Sequence, residues 1–414
     1  MRYDAIEEGL AEVAAHAERV GASVHMPRIA CGLAGGEWDR VEELIQGQLL
    51  ARGVSVTVYD LARSDAVDTC DSEPSPGLGM IFTFLGTAAA RPSLRRNVSG
   101  LGVQLGQSKR WMLFDCGEGT QHQLLRCPLA ATQLDHVFIT HLHGDHCFGL
   151  PGLLSARGLV GVVRPLQIFG PAGLQDFLLS ALNVTDTPLP YPIEISEIGD
   201  SGGSILDTPY LKVEAVPLKH GVTSFEYVLK EGDRPGAFNV AKARSAGIPE
   251  GPFFGQLKAG RSISLADGRS FDGKDFATDR VQGRKVVIAG DNASPDLLLP
   301  HLSGTDLLIH ESTYTEAFAA GKVLLWGHST AASVARVAAR AGVPSLILTH
   351  VSQRYVSEPG RNGDALTDLE QEAQAHYASN FWIADDFDTF QLRNDGTVVN
   401  LPHEGRKREA HDGG

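Results

Sequence analysis

Within six residues, His141, His143, Asp145 and His146 bring three imidazoles and a carboxylate together, separated only by Leu142 and Gly144. These side chains bind divalent transition metals, and four of them exceed what one tetrahedral zinc with an open position requires. The spacing therefore points to a dinuclear centre. HVFIT (136–140) reads as a strand, so His141 and His143, two residues apart, are expected on one side of its carboxyl end. Gly144 lets the chain turn, and Asp145 and His146 are expected to face the same space from a loop. His220, Asp291 and His350 each close an apolar run, in KVEAVPLKH, KVVIAGD and SLILTH, where a strand emerges into a crevice. They are the expected remaining ligands.

The elements that must position these residues are short. MIFTFLG (80–86), GVQLG (102–106) and RWMLFDC (110–116) read as strands, and the apolar stretches of KVVIAGD (285–291) and SLILTH (345–350) as buried ones. Helical stretches lie between them, among them 329–341. Two sets of strands with helices outside imply a layered α/β sandwich. Ahead of it, Ile6, Leu10, Val13 and Ala17 mark a helix face ended by Gly21, and Val41, Leu44, Ile45 and Leu49 mark a second. SVHMPRI (23–29) and VSVTVYDL (54–61) read as strands, with a Gly-rich loop, CGLAGGEW, after the first. The acidic, Pro-containing stretch 64–78 reads as a linker. The expected division is a partial α/β fragment at 1–63, a main domain at 79–400, and a disordered tail at 401–414.

Of 414 residues, 43% are hydrophobic and 21% charged, a soluble composition. No run approaches the roughly 18 to 20 apolar residues of a membrane span, and MRYDAIEEGL lacks the basic start of a secretory leader. Five scattered cysteines (Cys31, Cys70, Cys116, Cys127, Cys147) contain no C-x-x-C pair. That pattern fits a reducing cytoplasm rather than a disulfide framework. The net charge of −14 opposes broad nucleic-acid binding, yet residues 1–75 alone hold 6 Lys and Arg against 14 Asp and Glu.

The H-x-H-x-D-H signature marks the metallo-β-lactamase superfamily. FLGTAAARPSLRRNVSG, LFDCGEGTQHQLL, FITHLHGDHCFGLPGLL, IHESTY, GHST and LTHVSQRY, spread over about 80–395, resemble ribonuclease Z, the endonuclease that matures tRNA 3′ ends. The resemblance implies a four-layer αββα sandwich with a protruding arm. It also implies two zinc ions per subunit and a homodimer acting on precursor tRNA, leaving a 3′-hydroxyl on the tRNA and a 5′-phosphate on the trailer. One ion would take His141, His143 and His220, the other Asp145, His146 and His350, with Asp291 bridging. Asp145 would also accept the proton of water, and His328 would protonate the leaving oxygen with Glu311 orienting it. Where the family continues Asp-Thr-Arg, this chain has Asp291-Asn292-Ala293, which lacks a neighbouring basic side chain.

Residues 231–262 are polar, Gly/Pro-rich and locally +2. They carry Arg234, Lys242, Arg244, Lys258 and Arg261 against Glu231, Asp233 and Glu250. They resemble the family's flexible tRNA-gripping arm, with Gly251-Pro252 as its Gly-Pro motif. Arg95 and Arg96 are candidates for contact with the acceptor end. Residues 1–62 resemble the C-terminal half of a macrodomain, with Gly32–Gly36 as the diphosphate-cradling loop. Lacking the other half, the fragment is expected to be a fused remnant, or a start codon placed within a fusion, and ADP-ribose binding is not expected of it. The competing readings are a phosphodiesterase of the same fold acting on small phosphodiesters, and an ADP-ribose-binding module carrying a passenger nuclease.

Overall fold

Strands that are apolar on both sides must be covered on both faces. A computed structural model, which describes residues 3–27, 38–59, 79–106, 108–233, 238–276, 281–320, 327–356 and 364–402, covers them with four layers. The chain divides into two compact units, Met1–Ser72 and Glu73–Gly414. In the second, an eight-stranded sheet runs in the order Val398–Leu401, Thr389–Leu392, Met80–Gly86, Gly100–Leu105, Trp111–Cys116, Leu134–Phe138, Leu166–Pro171, Ile193–Ile198. It is antiparallel up to Trp111–Cys116 and parallel beyond it. A seven-stranded sheet runs Asn380–Ile383, Ser345–Thr349, Leu307–Glu311, Lys285–Ala289, Ser224–Glu231, Leu211–Leu218, Gly203–Asp207. Its first four strands are parallel.

Alternate side chains divide between layers. Phe82, Phe114 and Phe138 of one sheet meet Phe225, Tyr227, Ile288 and Ile309 of the other in the central core. Leu113, Val137 and Ile168 point outward under the helices Leu150–Leu159 and Leu174–Val184. Val287, Leu308 and Leu346 do the same under Ala331–Ala341 and Leu366–His376. The helix expected at 329–341 begins at Ala331, because Thr330 caps it through the Ser333 amide. Cys116, Cys127 and Cys147 are buried. No helix among the described residues is long and apolar enough to cross a membrane.

The arm is more than a polar loop. Between Ser224–Glu231 and Lys285–Ala289 stand two helices, Val240–Ser245 and Pro252–Lys258, and a small hairpin, Ile263–Ser264 with Ser270–Phe271. Ala243, Ile248, Leu257, Ile263 and Phe276 form its own buried core, with Phe238, Phe253, Phe254 and Phe271 packed against it. The expected end at 262 therefore falls short, since Phe271 and Phe276 complete that core. Gly251, at φ +106°, caps the second helix and Pro252 occupies its first turn, so Gly251-Pro252 is a helix start that a side chain at 251 would strain. Glu231 belongs to the strand and pairs with Arg284.

In the first unit, helices Tyr3–Val20 and Trp38–Gln48 pack on two parallel strands, Val24–Pro27 and Val56–Tyr59. Its core is Leu10, Ala14, Ala17, Val41, Ile45, Leu49 and Val54. Val13, expected inside, is 42% exposed; the buried face follows Leu10, Ala14 and Ala17 instead. The Gly32–Gly36 loop, the 64–78 linker and most of the 401–414 tail lie outside the described residues.

One buried group sets a pH dependence. Glu226 is fully buried in Ser224–Glu231, and neither carboxylate oxygen has a hydrogen-bond partner among the described residues. Burial pushes it up to about 8. The fold binds this proton more tightly than the unfolded chain, so stability falls as pH rises from the ordinary carboxylate range to about 8. Glu226→Gln should therefore melt higher than wild type at pH 8, by a stability on the order of a few kcal/mol. The gap should close near pH 4.5, as melting followed by circular dichroism would show.

Candidate metal centre

The site forms where strand ends from the two sheets are stitched together. Phe225 N donates to Thr140 O, and Gly290 N donates to Phe225 O. A side chain at Gly290 would meet Thr140 Cβ at 2.6 Å, so glycine is what permits this approach. Parallel strands open their carboxyl ends into a crevice, and the loops after Leu134–Phe138, Lys285–Ala289 and Ser345–Thr349 deliver His141, Asp291 and His350 there.

The residues expected as ligands converge as two groups. His141, His143, His220 and Asp291 form one, and Asp145, His146 and His350 another. His143 Nδ1 is 3.1 Å from both His141 Nε2 and His220 Nε2. His146 Nε2 and His350 Nε2 are 3.2 Å apart, and Asp145 Oδ2 is 3.3 Å from His350 Nε2. Asp291 lies between the groups. Its Oδ2 is 3.6 and 3.9 Å from His141 and His220, its Oδ1 3.6 and 3.5 Å from His146 and His350.

Two expectations of local geometry are corrected. The strand ends at Phe138, so His141 and His143 do not share a strand face: His141 is buried and His143 exposed, their rings crossing at 82°. Asp145 and His146 sit on a helical turn, Gly144–Cys147, rather than in a loop.

The outer ring nitrogens decide what the inner ones can do. His146 Nδ1 donates to Asp115 Oδ2 at 2.7 Å, and His220 Nδ1 donates to Gly327 O at 2.9 Å. His141 Nδ1 meets Thr140 Oγ1 at 3.0 Å, and His350 Nδ1 meets Thr313 Oγ1 at 3.0 Å. Those two hydroxyls give their protons to Asp115 and Glu311, so they accept from the imidazoles. Each Nε2 is thus left as a bare lone pair aimed inward. The lone pairs of His146 and His350 repel at 3.2 Å, and Asp291 Oδ1 is buried without a hydrogen bond among the described residues. A tetrahedral ion with bonds of about 2.0–2.1 Å spaces its nitrogens about 3.3 Å apart, which fits this donor set. Burial opposes ionisation of Asp291; positive charge on His350, His146 and His141, which a cation held between them would replace, keeps it well below the usual carboxylate range.

His328 Nδ1 is buried, lacks a hydrogen bond among the described residues, and lies 3.4 Å from Asp291 Oδ2. Burial holds this imidazole down to about 4. Glu311 Oε1 is 3.8 Å from His328 Nδ1, too far for a hydrogen bond. Burial, with Asp291 alongside, pushes Glu311 up to about 7.

Other candidates lie elsewhere. Arg96 is buried, donating to Thr87 Oγ1 and Ala384 O, so it braces the fold and is closed to substrate; Arg95 is exposed. In the arm, Lys242 donates to Asp275 O at 2.5 Å, Arg244 pairs with Glu250 at 2.7 Å, and Lys258 and Arg261 are exposed. Arg234 lies outside the described residues. Asn292, where the family has Thr, is fully buried: Oδ1 accepts from Ser294 N, and Nδ2 is 3.4 Å from His310. Asp115, Thr140 and Thr313 were not singled out from sequence. Asp115 carries the same signal as Asp291, a polar residue closing an apolar strand.

Residues 103–233 match the metallo-beta-lactamase superfamily. Ribonuclease Z of Brevibacillus brevis is 44% identical over 326 residues, spanning 78% of this chain and 100% of that protein. The chain belongs to the ribonuclease Z family. It is therefore an endoribonuclease on a metallo-β-lactamase fold. Ribonuclease BN of Escherichia coli K12 is 45% identical over 279 residues, 67% of this chain and 90% of that protein. The short form of human tRNase Z has 28% identity and a TM-score of 0.53 over 78% of this chain and 99% of its own.

The metal centre depends on Asp115 through His146. Asp115→Asn should weaken divalent-metal binding about 10- to 100-fold, measured with added zinc in competition with a chromophoric chelator.

Proposed function

We propose that this chain cleaves the 3′ trailer from precursor tRNA, adding water across the bond between phosphorus and the ribose 3′ oxygen. The products are a tRNA with a 3′-hydroxyl and a trailer with a 5′-phosphate. The observation that carries this reading is Asp291 facing two histidine groups at 3.5–3.9 Å, within a chain that spans the full length of a ribonuclease Z.

His141, His143 and His220 would hold one zinc ion and Asp145, His146 and His350 a second, Asp291 being shared. When bound, such a pair lowers the pKa of water and offsets charge on the phosphodiester oxygens. Asp145, oriented by the Ala90 N–H at 2.8 Å, takes the proton of the attacking water. His328, partly open to solvent, gives a proton to the departing 3′ oxygen; the approaching phosphodiester anion favours its charged form.

A folded arm with exposed Lys258 and Arg261 supports a macromolecular substrate over a small phosphodiester. Backbone contacts to A-form RNA would make such binding shape-specific. Exposed Leu159, Val160 and Val163, by the helices outside the eight-stranded sheet, supply apolar area for the homodimer. We place the enzyme in the cytoplasm. The unit before the linker we read as a macrodomain-like remnant with no part in cleavage.

With a labelled precursor tRNA, wild type should release the trailer and Asp145→Ala should not. Wild type that hydrolyses bis-p-nitrophenyl phosphate but leaves the precursor intact would replace this reading with the small-phosphodiester one. Lys258→Ala with Arg261→Ala should raise KM for precursor tRNA and flatten its salt dependence by about one logarithmic unit per lost phosphate contact. Hydrolysis of the small ester should be unchanged. A chain lacking residues 1–75 should cleave as well as the whole.

A further inference from the structure

The three central parallel strands of the seven-stranded sheet are unequal. Lys285–Ala289 leads to Asp291 and Ser345–Thr349 leads to His350, while Leu307–Glu311 between them supplies no ligand. It ends instead in Glu311, which is 1% exposed. Its carboxylate accepts from the loops on either side. Oε1 takes Ser329 N at 2.5 Å and Asn292 N at 3.4 Å, the amides that follow His328 and Asp291. Oε2 takes Thr313 N at 3.0 Å and Thr313 Oγ1 at 2.7 Å. The same hydroxyl accepts from His350 Nδ1.

We propose that Glu311 is a positioning residue that fixes the loops of Asp291, His328 and His350 together, and thereby sets metal affinity, rather than a direct partner of His328. The proposal rests on the metal-centre reading above. Three independent pieces of chain meet at one buried anion. The Ser329 and Asn292 N–H groups directly follow His328 and Asp291, so the placement of those two side chains is carried through a single peptide unit, while His350 is reached through the Thr313 hydroxyl. Ser329 Oγ closes the same junction by donating to Asn292 O at 2.5 Å. His310 braces it from behind: Nδ1 donates to Glu311 O at 2.7 Å, leaving Nε2 to face the Asn292 amide at 3.4 Å. Asn292 is therefore suited to this junction in a way threonine is not, since its Nδ2 can donate towards His310 while Oδ1 accepts from Ser294 N.

The two roles separate on one substitution. Glutamine keeps the volume of Glu311 but turns an N–H₂ towards one pair of donors, releasing either Thr313 or the Ser329–Asn292 pair. Chelator-stripped full-length protein would be titrated with zinc against a chromophoric chelator, and precursor cleavage followed from limiting to saturating zinc. Glu311→Gln should raise the zinc dissociation constant about 10- to 100-fold, and saturating zinc should restore kcat to near wild type. Thr313→Val, which removes only the hydroxyl between Glu311 and His350, should shift the dissociation constant in the same direction. Wild-type zinc affinity in Glu311→Gln, with kcat lost at saturating zinc, would overturn the proposal in favour of a direct role beside His328. If Glu311→Gln does not fold, unchanged zinc affinity in Thr313→Val overturns it alone. Wild type that binds no zinc at all would instead defeat the reading of the centre on which the proposal rests.

Discussion

A carboxylate taken out of water is costly unless positive charge or hydrogen bonds meet it, and Asp291 receives no hydrogen bond at Oδ1 among the described residues. Around it stand histidines whose outer nitrogens are already committed as donors, leaving Nε2 lone pairs pointing inward. Between His146 and His350 like partial charges face one another across 3.2 Å. A protein arranged this way has built the complement of a cation, and its remaining features resist the repulsion while the complement is empty of charge. Asp115, Thr140, Thr313 and the carbonyl of Gly327 all serve that purpose.

The two-sheet core supplies the rigidity. Phe114, Phe138 and Phe169 stack along one sheet and lock Tyr227 of the other, whose hydroxyl donates to Ile139 O. That contact, with Phe225 N on Thr140 O, sets the chain just before His141 against the strand that follows His220. Ligands from distant parts of the sequence thus meet because their strands end at one level. The arm leaves the same sheet between Ser224–Glu231 and Lys285–Ala289, and its separate core lets it project Lys258 and Arg261 without disturbing the strands on either side.

Much of the site was legible in sequence because metal chemistry needs dense nitrogen and oxygen donors, and His141 to His146 has them at a density chance rarely provides. His220, Asp291 and His350 were legible because three polar residues closing apolar strands accompany that cluster; Asp115 and Glu311 close strands too, and hold neighbouring side chains instead. The remainder depends on groups without a sequence signature. Glu311 binds backbone amides, which every residue carries, so its partners cannot be read from side-chain types. His143 turns Nδ1 towards the other rings where His141 and His220 turn Nε2, a choice that residue type alone does not announce. The arm core is assembled from apolar residues scattered between glycines and prolines from Phe238 to Phe276, too irregular to show a period. Arg96 looked like surface because arginine usually is; it is buried because the Ala384 carbonyl and Thr87 hydroxyl await its guanidinium.

The overall charge of −14 sits comfortably with an RNA substrate once its placement is considered. Eight of those negative charges fall in residues 1–75, the first fragment and most of the linker, while the centre gathers imidazoles and residues 231–262 are locally +2. The most direct test of the account is the zinc content of purified wild type and Asp291→Asn by inductively coupled plasma mass spectrometry after equilibrium dialysis. Because one carboxylate is shared, the account predicts two ions per chain in wild type and loss of both together in the variant. A variant that keeps one ion at full occupancy while losing the other would contradict it.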